Sequence, residues 1–229
     1  MEAIILAGGL GTRLAERIQG IPKSMAPVGG RPFLEILLNR LEHYGCARIV
    51  LSVGYRREII QTHFGEAYGR MQVTYAVEET PLGTGGAIRR ALSIAAEDAA
   101  LVLNGDTFLD ADFSAMMRCH RESAAVMTMA VSRQLDIARY GGVIVEDGRI
   151  AGFKEKGHRG QGWINAGVYV LNRNISWPEG LGEKFSFEKD FLERQVKFLR
   201  PITFEVEGFF LDIGVPEDYD RAQTELRDR

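Results

Sequence analysis

Apolar positions along the first 130 residues alternate between two rhythms. Ala3–Leu6 is a short, wholly apolar run of strand length. Phe33–Tyr44 carries apolar residues at 33, 34, 37, 38 and 41, the spacing of one helical face, and Gly45 follows as a stop. Ile49–Val53 returns to strand, Glu58–Phe64 to helix, and Val73–Ala76 to strand. Gly86–Ala96 is an alanine-rich helix, and Leu101–Leu103 is a buried strand running into Asn104-Gly105-Asp106. Phe113–Glu122 reads as helix and Ala125–Val131 as strand. Strand and helix in alternation predict a parallel sheet covered by helices on both faces.

After about residue 140 the pattern shortens. Gly142–Val145, Ile150–Phe153 and Gly167–Leu171 are β runs separated by glycine-rich turns, and Asp147-Gly148 is a hairpin signal. Phe187–Phe198 is helical, Thr203–Val206 and Phe209–Leu211 are strands, and Pro216–Arg227 closes the chain as a helix. No linker, internal repeat or low-complexity tract interrupts the order. The expected architecture is one α/β domain over residues 1–229 whose second half adds an antiparallel lobe.

Composition narrows the function classes. Of 229 residues, 45% are hydrophobic and 26% charged, which suits a soluble globular chain. A formal charge of −3 without a basic stripe argues against a nucleic-acid partner. No apolar run reaches membrane-span length, and Glu2 stands where a signal peptide would be basic, so a cytoplasmic protein without a membrane partner is expected. Cys46 and Cys119 are isolated and read as free thiols. The four histidines form no HExxH, which removes a zinc-hydrolase site.

LAGGLGTRL, residues 6–14, follows the first strand. A strand, a glycine-rich turn and a basic residue suit a phosphate, because glycines let backbone N–H groups approach an anion. A Walker loop is excluded, since Gly11 precedes Thr12-Arg13 rather than Lys-Ser/Thr. A dinucleotide loop is excluded too, since Leu14 stands where GxGxxG needs its third glycine. The competing reading is a plain glycine turn after a strand.

Residues 6–14 with PKSMAPV (22–28) resemble the signature of the sugar-1-phosphate nucleotidyltransferase family. The resemblance continues through PLGTGGAI (81–88), NGDTF (104–108), YGGV (140–143), FKEKG (153–157), INAGVYVL (164–171) and FLDIGVPEDY (210–219). Within the family, EETPLGTGGAI, LNGDTF, SFEKDF and DIGVPEDY bring the chain nearest to the heptose-1-phosphate guanylyltransferase branch, with the mannose-1-phosphate branch as its rival. Two departures stand out. Many relatives carry Pro two residues after the Arg-Leu of the first loop, where Ala15-Glu16 follow here, and Gly157 replaces the Pro of a common EKP.

The resemblance implies a Rossmann-like, doubly wound mixed sheet with a small antiparallel sugar-binding lobe, the nucleotidyltransferase fold. Residues 1–130 would form the nucleotide half, and 131–229 the sugar-binding and closing part. It implies GTP and a sugar 1-phosphate as partners, pyrophosphate release, Mg²⁺ as cofactor and use in surface polysaccharide synthesis. A homodimer is compatible with the chain. Leu6, Ala7, Gly8, Gly9, Gly11, Thr12, Arg13, Lys23, Glu78, Gly83, Thr84 and Asp106 would bind the nucleotide, with Arg13 and Lys23 catalytic. Tyr140, Gly141, Glu155, Lys156 and Asn165 would hold the sugar phosphate, and Asp106 and Asp212 the metal.

The residue types agree with that chemistry. A phosphate monoester loses its second proton near pH 6, so a sugar phosphate needs no general base, and catalysis rests on alignment and charge neutralisation. Asp106 closes a strand, where open parallel sheets bind ligands. The competing readings are Asp residues capping turns, Lys and Arg as solvated surface cations, and Asn165 as a turn residue. The resemblance implies that the loop after Val73–Ala76 reads the base; counted back from the shared Gly83 that position is Glu78, and Glu79 takes its place if the loop shifts by one. A non-catalytic nucleotide-sugar-binding regulator on the same fold is a second function class, and a Rossmann oxidoreductase a third.

Overall fold

The computed structural model describes residues 1–9, 11–14, 17–18 and 20–227, with Thr12 as backbone only. The first half runs β1 (Glu2–Leu6), β2 (Pro27–Val28), β3 (Arg31–Pro32), α1 (Phe33–His43), β4 (Arg48–Val53) and α2 (Arg57–Phe64). It continues with β5 (Ala67–Tyr68), β6 (Met71–Val77), α3 (Gly83–Ile94), β7 (Ala99–Asn104), β8 (Thr107–Leu109) and α4 (Phe113–Glu122). The second half holds β9 (Met127–Gln134), β10 (Gly142–Glu146), β11 (Arg149–Lys154) and β12 (Gly162–Asn172). A π-helical turn (Phe187–Leu192) then leads into α5 (Glu193–Leu199), β13 (Ile202–Val206), β14 (Phe210–Asp212) and α6 (Pro216–Glu225).

Ten strands form one mixed sheet in the order β10-β11-β13-β9-β12-β7-β1-β4-β6-β5. The block β7-β1-β4-β6 is parallel, and β12 joins it antiparallel along β7. The antiparallel strands therefore extend the parallel sheet rather than folding apart from it. Alternate residues of the apolar strands feed opposite faces. Ala3, Ile5, Leu101 and Leu103 pack with α1, while Ile4, Ala100 and Val102 pack with α3. Burial on both faces explains why β1 and β7 read as unbroken apolar runs.

The hairpin at Asp147-Gly148 has positive φ at both residues, 50° and 69°, the conformation that its sequence signals. Elsewhere the helix periodicity misplaces a boundary. α3 starts at Gly83 rather than Gly86, so three glycines lie in its first turn against the usual propensity. The reason is packing: a Cβ on Gly85 would stand 2.1 Å from the Phe185 ring, and one on Gly86 2.2 Å from the Glu183 carbonyl oxygen. Cys46 and Cys119 form no disulfide. Among the described residues no helix is long and apolar enough to cross a membrane.

His120 of α4 is 2% exposed, with its ring nitrogens against Thr128 Oγ1 at 3.0 Å and Asn172 Oδ1 at 2.9 Å. Burial lowers its pKa below the ordinary value, and the Asn172 contact opposes this only in part. The unfolded chain therefore takes up this proton first. Above about pH 6.5 both states are neutral and His120 has no effect; below it, stability is lost until the folded-state pKa is reached. Thermal unfolding of wild type and His120→Gln between pH 8 and 5 checks this. The wild type should lose more Tm below pH 6.5, and parallel curves would contradict the assignment.

Candidate active site

The C-terminal ends of β7, β1, β4 and β6 open into a cavity of about 550 Å³. Leu6 ends β1 and Ala7 to Gly9 follow it, Gly54 and Tyr55 follow β4, Glu78 and Glu79 follow β6, and Asn104 to Asp106 close β7. Small residues are required where these loops meet. A Cβ on Gly8 would lie 3.0 Å from Glu78 Oε1, and one on Gly105 would lie 2.4 Å from the Leu6 carbonyl oxygen. Gly11, with φ +62°, packs on the Lys23 side chain.

Pro22 (φ −59°) leads into the turn Lys23–Met25, which buries Lys23 to 7% exposure. The Lys23 ammonium donates to Asp106 Oδ2 and lies 3.9 Å from Asp212 Oδ1. The two carboxylates meet because β14 pairs antiparallel with β8, with Asp212 opposite Thr107. Asp212 Oδ1 also accepts the Gly214 N–H at 2.7 Å. Burial, then the charge of Asp106, raise the Asp212 carboxyl above its ordinary range, and Lys23, the Gly214 N–H and Arg139 oppose the rise. Gly214 is small for cause, since a Cβ there would stand 2.7 Å from Asp212 Oδ1 and 3.1 Å from Lys23 Nζ.

The donor set fits a hard divalent cation shared with phosphates: two carboxylates at adjoining strand ends, one of them lining the cavity. Among the described residues no three Asp, Glu, His or Cys side chains converge into an all-protein cage. An ion of the Mg²⁺ type keeps coordination positions for water and substrate, so two carboxylates suffice.

Glu78 accepts the Ser52 hydroxyl at 2.9 Å on Oε1 and the Leu82 N–H at 3.1 Å on Oε2. Each oxygen keeps a further lone pair. Glu79 points elsewhere: its side chain is 75% exposed and paired with Arg57 at 2.9 Å. Gly83, Thr84 and Ala87 of α3 complete this wall. The Thr84 hydroxyl is itself engaged, donating to Glu188 at 2.8 Å and accepting the Phe187 N–H at 2.9 Å.

Of the residues expected at the nucleotide, Leu6, Ala7, Gly8, Gly9, Lys23, Glu78, Gly83, Thr84 and Asp106 line the cavity. Gly11 supports Lys23 from behind, and Arg13 is exposed on the turn Thr12–Leu14 and does not line the cavity. The Thr12 side chain, Leu10 of the loop signature, and Ala15 and Glu16 lie outside the described residues. On the sugar side, Tyr140 packs edge-on against Phe210 at 5.5 Å. Gly141 (φ +83°) sits under the Lys154 carbonyl and beside Lys156. Glu155 and Lys156 are exposed on the turn after β11. Asn165 donates to the Tyr169 hydroxyl at 2.7 Å and accepts the Gly167 N–H at 3.0 Å.

Asn104 was read in the sequence only as part of the strand end Asn104-Gly105-Asp106 and of the NGDTF motif, with no role of its own. It lines the cavity, and its buried Oδ1 has no hydrogen-bond partner among the described residues. Its place directly before Gly105-Asp106 at a strand end was the available signal. Ser52, which orients Glu78 from inside β4, had none: a serine in an apolar strand reads as packing.

The nucleotidyl transferase family model matches residues 2–229. The D-glycero-alpha-D-manno-heptose 1-phosphate guanylyltransferase of Aneurinibacillus thermoaerophilus is 43% identical over 227 residues, 99% of each chain. The enzyme of the same name from Campylobacter jejuni is 42% identical over 96% of this chain and 97% of its own. Among solved structures, HddC from Yersinia pseudotuberculosis complexed with GMP-PN superposes with a TM-score of 0.85 at 36% identity, covering 98% of this chain and 99% of the other. A match of this extent, over a sheet whose strand ends gather Lys23, Asp106 and Asp212, places the chain in the nucleotidyl transferase family.

Proposed function

We propose that this chain transfers GMP from GTP to D-glycero-α-D-manno-heptose 1-phosphate, releasing pyrophosphate and forming a GDP-heptose in the cytoplasm for surface polysaccharide synthesis. The observation that carries the reading is the buried Lys23 ammonium between two carboxylates at the end of a glycine-walled cavity. Relatives 42–43% identical over nearly their whole length bear the heptose-1-phosphate guanylyltransferase name, which supports the choice of substrates.

The proposed chemistry is an in-line displacement. A sugar-phosphate oxygen attacks the α-phosphorus of GTP as the bond to pyrophosphate breaks. The attacking group is an anion at neutral pH, so the chain must align and neutralise rather than deprotonate. Lys23 is assigned to the α-phosphate, and its two carboxylate partners fix where the ammonium stands. Arg13 is assigned to the outer phosphates. Asp106 and Asp212 would hold Mg²⁺, whose chemistry there is neutralisation of charge on the reacting phosphates. The backbone of Gly8 and Gly9 gives the triphosphate close approach, and Glu78 reads the base. Asn165, Glu155 and Gly141 face the sugar hydroxyls, Tyr140 packs beside them, and Lys156 holds the sugar phosphate.

Lys156 carries its own expected result. Lys156→Ala should raise KM for the sugar phosphate by at least about tenfold, the scale of one lost hydrogen bond to a charged group, and leave KM for GTP nearly unchanged. Equal effects on both substrates, or none, return Lys156 to an ordinary surface charge. The function as a whole is tested by pyrophosphate release from GTP and Mg²⁺ with each sugar 1-phosphate in turn. Turnover with the heptose 1-phosphate is expected; binding without turnover would favour a regulator on the same fold.

A further inference from the structure

The loop 137–141 between β9 and β10 carries Tyr140 and Gly141 of the sugar side. It is closed on itself, since the Ile137 carbonyl accepts the Tyr140 and Gly141 N–H groups at 3.1 and 3.0 Å. It is also tied to the turn after β11, where Glu155 and Lys156 stand. There the Ala138 carbonyl accepts the Gly157 N–H at 2.8 Å, and the Gly160 carbonyl accepts the Ile137 N–H at 3.1 Å. These bonds join the two segments into one wall, but they do not tie that wall to the strand ends that hold Lys23 and Asp106.

Arg139, in the middle of the loop, makes a connection. Its guanidinium pairs with Oδ2 of Asp218, in the first turn of α6. Asp218 is 4% exposed, and its Oδ1 takes Arg221 of the same helix at 3.2 Å. A carboxylate this buried needs its charge compensated, and Arg139 is the partner that arrives from another element. The Arg139 guanidinium also lies over the Tyr140 ring, 5.1 Å from its centroid, and Tyr140 meets Phe210 of β14 edge-on. Asp212 ends that same strand. A planar guanidinium can pair with a carboxylate through its edge while its face covers an aromatic ring, which an ammonium cannot do.

α6 is fixed to the nucleotide half by other residues. Tyr219, next to Asp218, donates its hydroxyl to the Pro27 carbonyl at 2.6 Å, and Gln223, one turn on, donates to the same oxygen at 2.8 Å. Pro27 opens β2, just after the turn Lys23–Met25. Adjacent residues of one helix therefore reach the two substrate sides: Tyr219 holds the segment after Lys23, and Asp218 holds the sugar-side loop.

We propose that Asp218 is a positioning residue for the sugar phosphate: through Arg139 it fixes loop 137–141, with Tyr140 and Gly141, onto the β14–α6 arm that carries Asp212 and is anchored beside the Lys23 turn. This rests on the sugar-side assignment of Tyr140 and Gly141 made under the proposed function. Both Asp218 oxygens are taken by arginines, so its effect is carried by Arg139. In-line attack needs the sugar phosphate held at a set distance from the α-phosphorus, and a tie between the two sides supplies that.

Steady-state kinetics with GTP, Mg²⁺ and the heptose 1-phosphate test it, together with amide hydrogen exchange across 137–141. Asp218→Asn and Arg139→Gln should each raise the sugar-phosphate KM at least about tenfold, the scale of a lost hydrogen bond between charged groups, with the GTP KM nearly unchanged and exchange in the loop faster. Arg221→Ala removes the partner on the same helix and should leave both KM values and the loop exchange as in the wild type. The double variant Asp218→Asn/Arg139→Gln should be no worse toward the sugar phosphate than the poorer single variant, because both break one contact. A loss of Tm with both KM values unmoved marks a merely structural ion pair and overturns the proposal. Equal rises in both KM values, a multiplicative double variant, or an Arg221→Ala effect as large as that of Asp218→Asn overturn it too. If Asp218→Asn does not fold, Arg139→Gln decides by the same KM split. A wild type without turnover overturns the function reading instead. Exchange across 137–141 needs no substrate and then still tests the tie, which unchanged exchange in Asp218→Asn and Arg139→Gln overturns.

Discussion

Asp106→Asn should lower kcat by about 10²-fold to 10³-fold or more while leaving the fold intact, the scale seen when one charge-stabilising group is removed from a transition state. Asn matches Asp in shape but loses the charge that both Lys23 and a divalent cation would use. Asp212→Asn should cost as much turnover, with an opposite effect on stability. Folding raises the Asp212 carboxyl pKa, so its ionised form is disfavoured in the native state at neutral pH. An amide removes that penalty, and its oxygen can still accept the Gly214 N–H. Asp212→Asn should therefore unfold at the same or a higher Tm at pH 7. The wild type, correspondingly, should gain stability from this group as pH falls through the raised pKa. Near-normal activity of both variants at limiting Mg²⁺ would remove the two residues from the metal site. A clear loss of Tm in Asp212→Asn would contradict the electrostatic account.

Base selectivity should depend on Glu78. Guanine presents N1–H and N2–H₂ as adjacent donors, and uracil presents one N–H between two carbonyls. A carboxylate accepts on both oxygens, so it matches the first edge and repels the second. Ser52 and the Leu82 N–H hold Glu78 in one orientation, which makes it a preset acceptor. Glu78→Gln should be tolerated, because the amide oxygen can face Leu82 while the Ser52 hydroxyl turns to accept. It should lower kcat/KM for GTP by about 10-fold to 100-fold, the value of a lost hydrogen bond to a charged group, and narrow the gap to UTP. Glu79→Gln should leave selectivity in place, since Glu79 is spent on Arg57 at the surface. A wild type that prefers UTP, or selectivity lost in Glu79→Gln and kept in Glu78→Gln, would overturn the assignment.

The parts of the fold legible in the sequence are those that rest on local periodicity. The stripe at 33, 34, 37, 38 and 41 gives α1, and the all-apolar runs give β1, β4 and β7. The glycine loop after β1 was legible as a stretch of bare backbone on the cavity wall, because Gly8 and Gly9 carry no side chain to fill it. The meeting of Asp106 and Asp212 was not readable from periodicity. It depends on the pairing of two three-residue strands 103 positions apart, and the family resemblance alone joined them. Sequence spacing was also silent on Glu188. SFEKDF reads as the start of a helix, and only the packing of Phe185 on the glycines of α3 brings that carboxylate to Thr84. Lys23 looks like a surface cation by type, and its burial follows from the turn after Pro22.

The central claim is guanylyl transfer to a heptose 1-phosphate, and a side-by-side turnover measurement tests it most directly. The purified chain, with GTP and Mg²⁺, is given D-glycero-α-D-manno-heptose 1-phosphate or mannose 1-phosphate, and both the nucleotide sugar and pyrophosphate are quantified. The account predicts GDP-heptose and pyrophosphate in equal amounts, with a higher kcat/KM for the heptose substrate. A higher kcat/KM for mannose 1-phosphate, or nucleotide sugar from neither, would contradict it.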